Sequence, residues 1–171
     1  MSKRAVIITA AGFQDEEYIY PYYRLLEEDF NLEVATKDKQ VVFGKYGLPA
    51  KPTMDTAELS ADDFDLVVVP GGFEAPDRVR IIPEVLQFIR DMDGKGKCIA
   101  AICHGPWVLI SAGITKGRDM TAYWSTEADV VNSGANYKHK VPSVVDGNLI
   151  TSPHYNNNGD FMKAVVNYFT E

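Results

Sequence analysis

Cys103 and His104 stand where one pattern gives way to another. Before them, Cys98 to Ile102 is an unbroken apolar run that reads as a buried strand; after them, Pro106 to Ala112 reads as a helix stopped by Gly113. A nucleophile at such a junction needs small residues two places before and after it, because the chain must turn sharply there. Ala101 and Gly105 meet that need. Cys103 would project from the turn at a helix N-terminus, where the macrodipole and free N–H groups favour the thiolate and lower the thiol pKa. The chemistry implied is attack of sulfur on a carbonyl. Cys98 lies inside the run and reads as an ordinary strand cysteine. Five strand steps of ~3.3 Å hold the two sulfurs too far apart to bond, so both read as free thiols of a reducing compartment.

Other candidates also follow strands. His104 could stabilise the thiolate as imidazolium or shuttle a proton, and its spacing alone leaves that role open. Leu66 to Val69 ends in Pro70-Gly71-Gly72, a turn that permits close backbone approach. Gly72 could aim its N–H at a developing oxyanion, with the amide of His104 as second donor, or the turn could be only a turn. Glu17 could carry a carboxyl over the thiol, although solvated carboxylates at helix starts are the commoner case. His139 and His154 show no metal-ligand spacing and read as surface or packing residues, so no metal site is expected. Gly94 to Lys97 is too short and misplaced for a phosphate loop and reads as a turn.

These residues require a scaffold that brings strand ends together. Ala5 to Thr9 reads as a buried strand. From Asp15 a helix follows, with Tyr18, Tyr22, Leu25 and Leu26 at helical spacing. Leu32 to Thr36 reads as a strand and Val41 to Lys51 as an irregular hairpin. Pro83 to Gly94 reads as a helix, Met120 to Tyr123 as a strand, and Thr126 to Asn132 as a helix opened by a Thr-x-x-Asp cap. Val141 to Val145 and Asn148 to Thr151 flank Asp146-Gly147, a hairpin signal, and a last helix covers about Asp160 to Phe169. Strands alternating with helices predict an α/β fold, a mostly parallel sheet covered on both faces. Ligands in such folds collect beyond the carboxyl ends of the strands, where Glu17, Gly72 and Cys103 all fall.

Composition narrows the function classes. The 171 residues suit one domain, 1–171, and 46% hydrophobic with 24% charged residues is ordinary for a self-folding chain. A formal charge of −7 repels phosphate backbones and anionic membranes, so neither nucleic acid nor membrane is an expected partner. The start, Met1-Ser2-Lys3-Arg4 before Ala5-Val6-Ile7-Ile8, has too short an apolar run for a signal peptide. No segment approaches the ~20 apolar residues needed to span a bilayer, so a cytoplasmic protein is expected.

Four separated motifs carry a family resemblance: Glu17-Tyr18-Ile19-Tyr20-Pro21, Val69-Pro70-Gly71-Gly72, Ala75-Pro76-Asp77-Arg78-Val79-Arg80 and Ala101-Ile102-Cys103-His104-Gly105-Pro106. Together they resemble the motif set of PfpI-type intracellular proteases, relatives of the Parkinson's-disease deglycase in the class I glutamine-amidotransferase-like superfamily. The likeness runs from about Arg4 to Phe169. It implies a flavodoxin-like three-layer sandwich with Cys103 as nucleophile, Glu17 as a buried acid hydrogen-bonded to it, and Gly72 as oxyanion donor. His104 matches the histidine of the PfpI branch, which an acidic residue of a neighbouring subunit orients. Asp77 occupies that acid's place, where members usually carry Glu, so a homo-oligomer is implied, a dimer or a hexamer built from dimers. There are departures as well: one extra residue in Phe73-Glu74, Ser152-Pro153-His154 in place of Ser-Arg, and Tyr123 where the deglycase branch has histidine.

The resemblance implies an enzyme without cofactor that acts on glyoxal-type aldehydes, glycated proteins or peptides. The expected reaction is conversion of methylglyoxal, or its adducts, to lactate through a hemithioacetal. Two alternatives use the same cysteine: an intracellular peptidase, which needs an extended groove, and an oxidative-stress sensor or holdase in which Cys103 becomes sulfinic acid without turnover. Glutamine amide transfer would need a downstream His-x-Glu pair. His139 is followed by Lys-Val and His154 by Tyr-Asn, which sets it aside.

Overall fold

The computed structural model describes residues 2–170. The principal strands are β1 (Arg4–Ile8) and β2 (Asn31–Thr36), and between them runs α1 (Asp15–Glu27). The hairpin expected near Val41 forms as β3 (Val42–Phe43) antiparallel to β4 (Pro49–Ala50), apart from the main sheet. β5 (Met54–Asp55) and β6 (Leu66–Val69) follow, then α2 (Ala75–Val79), α3 (Pro83–Gly94), β7 (Cys98–Ile102) and α4 (Pro106–Ala112). The remainder is β8 (Asp119–Met120), α5 (Glu127–Asn132), β9 (Asn136–Tyr137), β10 (Val144–Asp146), β11 (Leu149–Ser152) and α6 (Asn158–Tyr168).

Seven strands make the main sheet in the order β10-β11-β7-β6-β1-β2-β5. Every pairing is parallel except β10 with β11. Strand side chains alternate between two faces, and here both faces are apolar. Val6, Ile8, Val67, Val69, Ile99 and Ala101 pack with residues of α3, α4 and α5, whereas Ala5, Ile7, Leu66, Val68, Ala100 and Ile102 pack with α1 and α6. This is the mostly parallel sheet covered on both faces that the strand and helix alternation predicts, and it matches the flavodoxin-like sandwich that the family resemblance implies. Among the described residues no helix is long and apolar enough to cross a membrane.

Several local expectations need correction. The strand expected over Met120–Tyr123 stops at Met120, because the next residues bond elsewhere. The Thr121 N–H donates to Thr151 Oγ1 at 2.9 Å, and the Tyr123 N–H donates to the Cys103 carbonyl at 2.9 Å. The hairpin turns one residue later than expected, on Gly147-Asn148, since Asp146 pairs with Leu149. Thr126 does not cap α5; its hydroxyl donates to the Tyr123 carbonyl. The Ala75-Pro76-Asp77-Arg78 motif, read only as a motif, forms a helix of its own, with Pro76 in the first turn where its missing N–H leaves no bond unmade.

Candidate active site

The chain turns hard where β7 ends. Cys103 sits at φ +62°, a left-handed conformation that a residue with a Cβ adopts at a cost of about 1–3 kcal/mol. Neighbouring elements hold it there. Its N–H donates to the Ser152 carbonyl of β11 at 2.9 Å, and the Gly105 N–H closes back on the Ile102 carbonyl at 2.8 Å. A Cβ on Gly105 would lie 2.3 Å from the Val69 carbonyl oxygen of β6, so the small residue expected two places after the cysteine is required by the adjacent strand.

Three groups meet the Cys103 sulfur. His104 Nδ1 lies 3.2 Å from Sγ, and the backbone N–H groups of Gly72 and His104 lie near enough to the sulfur to favour its thiolate. Gly72 reaches that position with φ +121°, bridged to Phe13. A Cβ there would come within 2.4 Å of the Gly12 carbonyl oxygen, so only glycine fits. The two amides named from the sequence as an oxyanion pair therefore do face one atom.

Glu17 is the third group. It lies in the first turn of α1, yet it is wholly buried rather than solvated. Its Oε2 accepts the Gly71 N–H at 2.7 Å, its Oε1 has no hydrogen-bond partner of good geometry, and the Cys103 thiol is the polar side chain its carboxyl meets. Burial raises the carboxyl from 4.5 to about 8, outweighing the Gly71 hydrogen bond, so Glu17 is largely protonated at neutral pH. Burial also pushes the Cys103 thiol up, with Glu17 adding to the rise and the Gly72 and His104 amides opposing it. The lowered thiol expected at a helix N-terminus is thus reversed. α4 is only seven residues long, and desolvation of a cysteine 6% exposed outweighs its dipole.

A cavity of about 310 Å³ opens over the sulfur. Gln14, Phe73, Trp107, Tyr123, His154 and Tyr155 form much of its wall. Lys45, from the β3–β4 hairpin whose function the sequence left unread, also lines it. Asp15 ties that hairpin down by accepting the Tyr46 and Leu48 N–H groups at 2.9 Å each. The His104 ring stacks on Tyr123 at 4.7 Å and meets the edge of Trp107 at 5.0 Å. Burial lowers the His104 pKa below 6.5, leaving a neutral ring at pH 7. The carboxylate that opposes this shift is Asp129, which accepts Trp107 Nε1–H at 3.1 Å.

Asp77 is exposed on α2 and is not in this cavity, so within one chain nothing brings it to His104. His154, read as a surface or packing residue, lines the cavity instead. Asp129, Trp107 and Gln14 gave no signal in the sequence, since none belongs to a local motif. Among the described residues no three metal-ligating side chains gather.

A strained cysteine elbow at the end of a parallel strand, backed by a buried carboxyl and an adjacent histidine, defines the class: a flavodoxin-like α/β protein with a cysteine-elbow site. The DJ-1/PfpI family model matches residues 3–168, and the chain belongs to that family. It is 41% identical over 151 residues to the Pyrococcus furiosus protein named Deglycase PfpI, covering 88% of this chain and 90% of that one. General stress protein 18 of Bacillus subtilis is 36% identical over 155 residues, 89% of each chain. Drosophila melanogaster DJ-1beta superposes with a TM-score of 0.91 at 31% identity, over 96% of this chain and 89% of that structure.

Proposed function

We propose that this chain is a cofactor-independent enzyme acting on reactive carbonyls, converting methylglyoxal or its protein adducts to lactate as a glyoxalase or deglycase. One observation carries the reading: the Cys103 sulfur lies 3.2 Å from a neutral histidine and beside a carboxyl titrating near 8, with the Gly72 and His104 amides nearby favouring its thiolate. The Deglycase PfpI name of a 41% identical relative supports the substrate class, and the stress-protein name supports a protective role.

The chemistry follows from these positions. Sulfur adds to the aldehyde carbon, the C=O π bond opens, the thiol proton passes to His104 Nδ1, and the oxygen takes up negative charge near the Gly72 and His104 amides. Protonated Glu17 adds no charge beside the sulfur, which favours thiolate over the alternative of two adjacent anions. The C1 hydrogen of the hemithioacetal then leaves as a proton and one returns at C2, giving a lactyl thioester. Water cleaves that ester to lactate and restores the thiol. A carboxyl that titrates near 8 exchanges its proton in either direction at working pH, which suits Glu17 to this shift.

The reading extends to a homo-oligomer in which Asp77 of one chain approaches His104 of another; the exposure of Asp77 on α2 leaves it free to do so. It is taken as cytoplasmic, with free thiols and no nucleic-acid or membrane partner. A compact cavity with a largely aromatic wall suits a small aldehyde better than a polypeptide, so peptide hydrolysis ranks second. The deciding experiment incubates purified protein with methylglyoxal and measures lactate, comparing wild type with Cys103→Ser. Lactate from wild type alone is expected. Casein hydrolysis lost in Cys103→Ser, with no lactate from wild type, would reverse the ranking.

A further inference from the structure

We propose that His154 is a substrate-binding residue that donates its Nε2–H to the second carbonyl oxygen of an α-oxoaldehyde held on Cys103; this rests on the carbonyl reading above. An α-oxoaldehyde presents two oxygens. The Gly72 and His104 amides face the sulfur and serve the oxygen on the attacked carbon. The oxygen one carbon further gains negative charge when the C1 proton leaves, and it needs a donor from another direction.

His154 is built to be that donor. It lines the same cavity as Cys103, two residues beyond Ser152, whose carbonyl fixes the Cys103 N–H at 2.9 Å. One strand end thus positions both elbow and imidazole. Its Nδ1 accepts the Asn156 N–H at 3.1 Å, so in the neutral ring the proton sits on Nε2. The ring is held in place by Trp124, stacked at 5.4 Å and 22°, and by Tyr155 at 4.0 Å. Burial keeps it neutral by lowering its pKa, against the pull of the Glu16 carboxylate. Trp107 Nε1, with a single N–H, is already engaged on Asp129 at 3.1 Å, and Gln14 Nε2 spends one of its two N–H groups on Glu16 at 2.6 Å.

Two substitutions separate donation from structure. His154→Phe keeps the stacked ring but loses both the cap on Asn156 and the donor. His154→Asp keeps a capping acceptor and carries no donor, but loses the ring. Both lose Nε2–H, so both are expected to lower kcat/KM for methylglyoxal about tenfold, the worth of one hydrogen bond. Alkylation of Cys103 by iodoacetamide, which needs no second donor, is expected to stay at the wild-type rate. Loss in the Phe variant alone would assign His154 to capping and overturn the proposal. So would a parallel fall in alkylation, or wild-type kcat/KM in both variants. Wild type that makes no lactate overturns the carbonyl reading and this proposal with it, whereas active wild type with unaffected variants overturns this proposal alone.

Discussion

Replacing Glu17 by Gln keeps the shape of a wholly buried side chain while removing its ionisation, and an amide oxygen can still accept the Gly71 N–H. The folded carboxyl titrates near 8 and the ordinary value is 4.5. Below 4.5 both folded and unfolded chains hold the proton, and Glu17 contributes no pH dependence. Between 4.5 and 8 only the folded chain holds it, so unfolding releases a proton and stability falls as pH rises. Above 8 the penalty is complete. At 1.36 kcal/mol per pH unit it is about 3 kcal/mol by pH 7 and on the order of 5 kcal/mol beyond pH 8. The Cys103 thiol, also raised, is protonated in both states through this window and adds nothing to it. Glu17→Gln should therefore raise the melting temperature by roughly 6–12 °C at pH 7, using about 2–4 °C per kcal/mol for a chain of this size, and by nothing at pH 4.5. Lactate formation should fall by roughly 10²-fold or more in the same variant, the usual loss when a proton-transfer group is removed. Scanning calorimetry from pH 4.5 to 8.5 reads the first effect and a methylglyoxal assay the second. Melting curves that stay parallel across that range, or a variant less stable than wild type at pH 8, would show that Glu17 is not a buried, protonated acid.

Other expectations follow from the same site. Mass-mapped iodoacetamide labelling of native protein should modify Cys103 and spare Cys98, since only Cys103 borders the cavity while both thiols are raised by burial; equal rates would remove the case for a privileged Cys103. The neutral His104 ring accepts a proton only above its pKa, which is lowered, so the acid limb of kcat/KM against pH should lie below 6.5. Asp129→Asn removes the carboxylate that opposes this shift and should move the limb lower still; an upward move would contradict the assignment. Asp77→Ala should cost less methylglyoxal turnover than Glu17→Ala. Light scattering that reports a monomer at micromolar concentration would remove Asp77 from any role beside His104 of another chain.

The sequence disclosed the parts of this molecule that are periodic or punctuated. Apolar runs gave β1, β6 and β7, and Ala101 with Gly105 around Cys103 marked the elbow, because steric demands of a turn are written in neighbouring residues. Sheet order, by contrast, depends on pairings between distant strands. The burial of Glu17 was not legible from its own surroundings, since a carboxyl in the first turn of α1 looks the same whether it meets water or the β6 turn. Only the joint presence of four motifs favoured the buried case. His154, Asp129 and Trp107 were missed for a related reason: each enters the site through a loop or helix whose placement depends on the completed sheet. The direction of the Cys103 shift was misjudged because a dipole can be inferred from a helix start, whereas desolvation needs the packed neighbours.

That dependence on distant elements explains how the site stays assembled despite its unfavourable parts. The left-handed Cys103 and the buried Glu17 each raise the energy of the folded chain, and neither has a local remedy. What restrains them is backbone geometry from separate strands. Ser152 of β11 takes the Cys103 N–H, Gly71 beyond β6 donates to Glu17, and the Val69 carbonyl stands where any Cβ on residue 105 would fall. These contacts come from the ends of the sheet's central strands, so the elbow exists only when β6, β7 and β11 are in register. A substitution in the sheet interior that shifts this register, such as a larger residue at Ala100 or Ala101, should therefore lower turnover before it lowers helix content. Circular dichroism and lactate formation measured on the same Ala101→Leu sample would separate the two. Loss of both together would mean that the elbow is no more demanding than the fold that carries it.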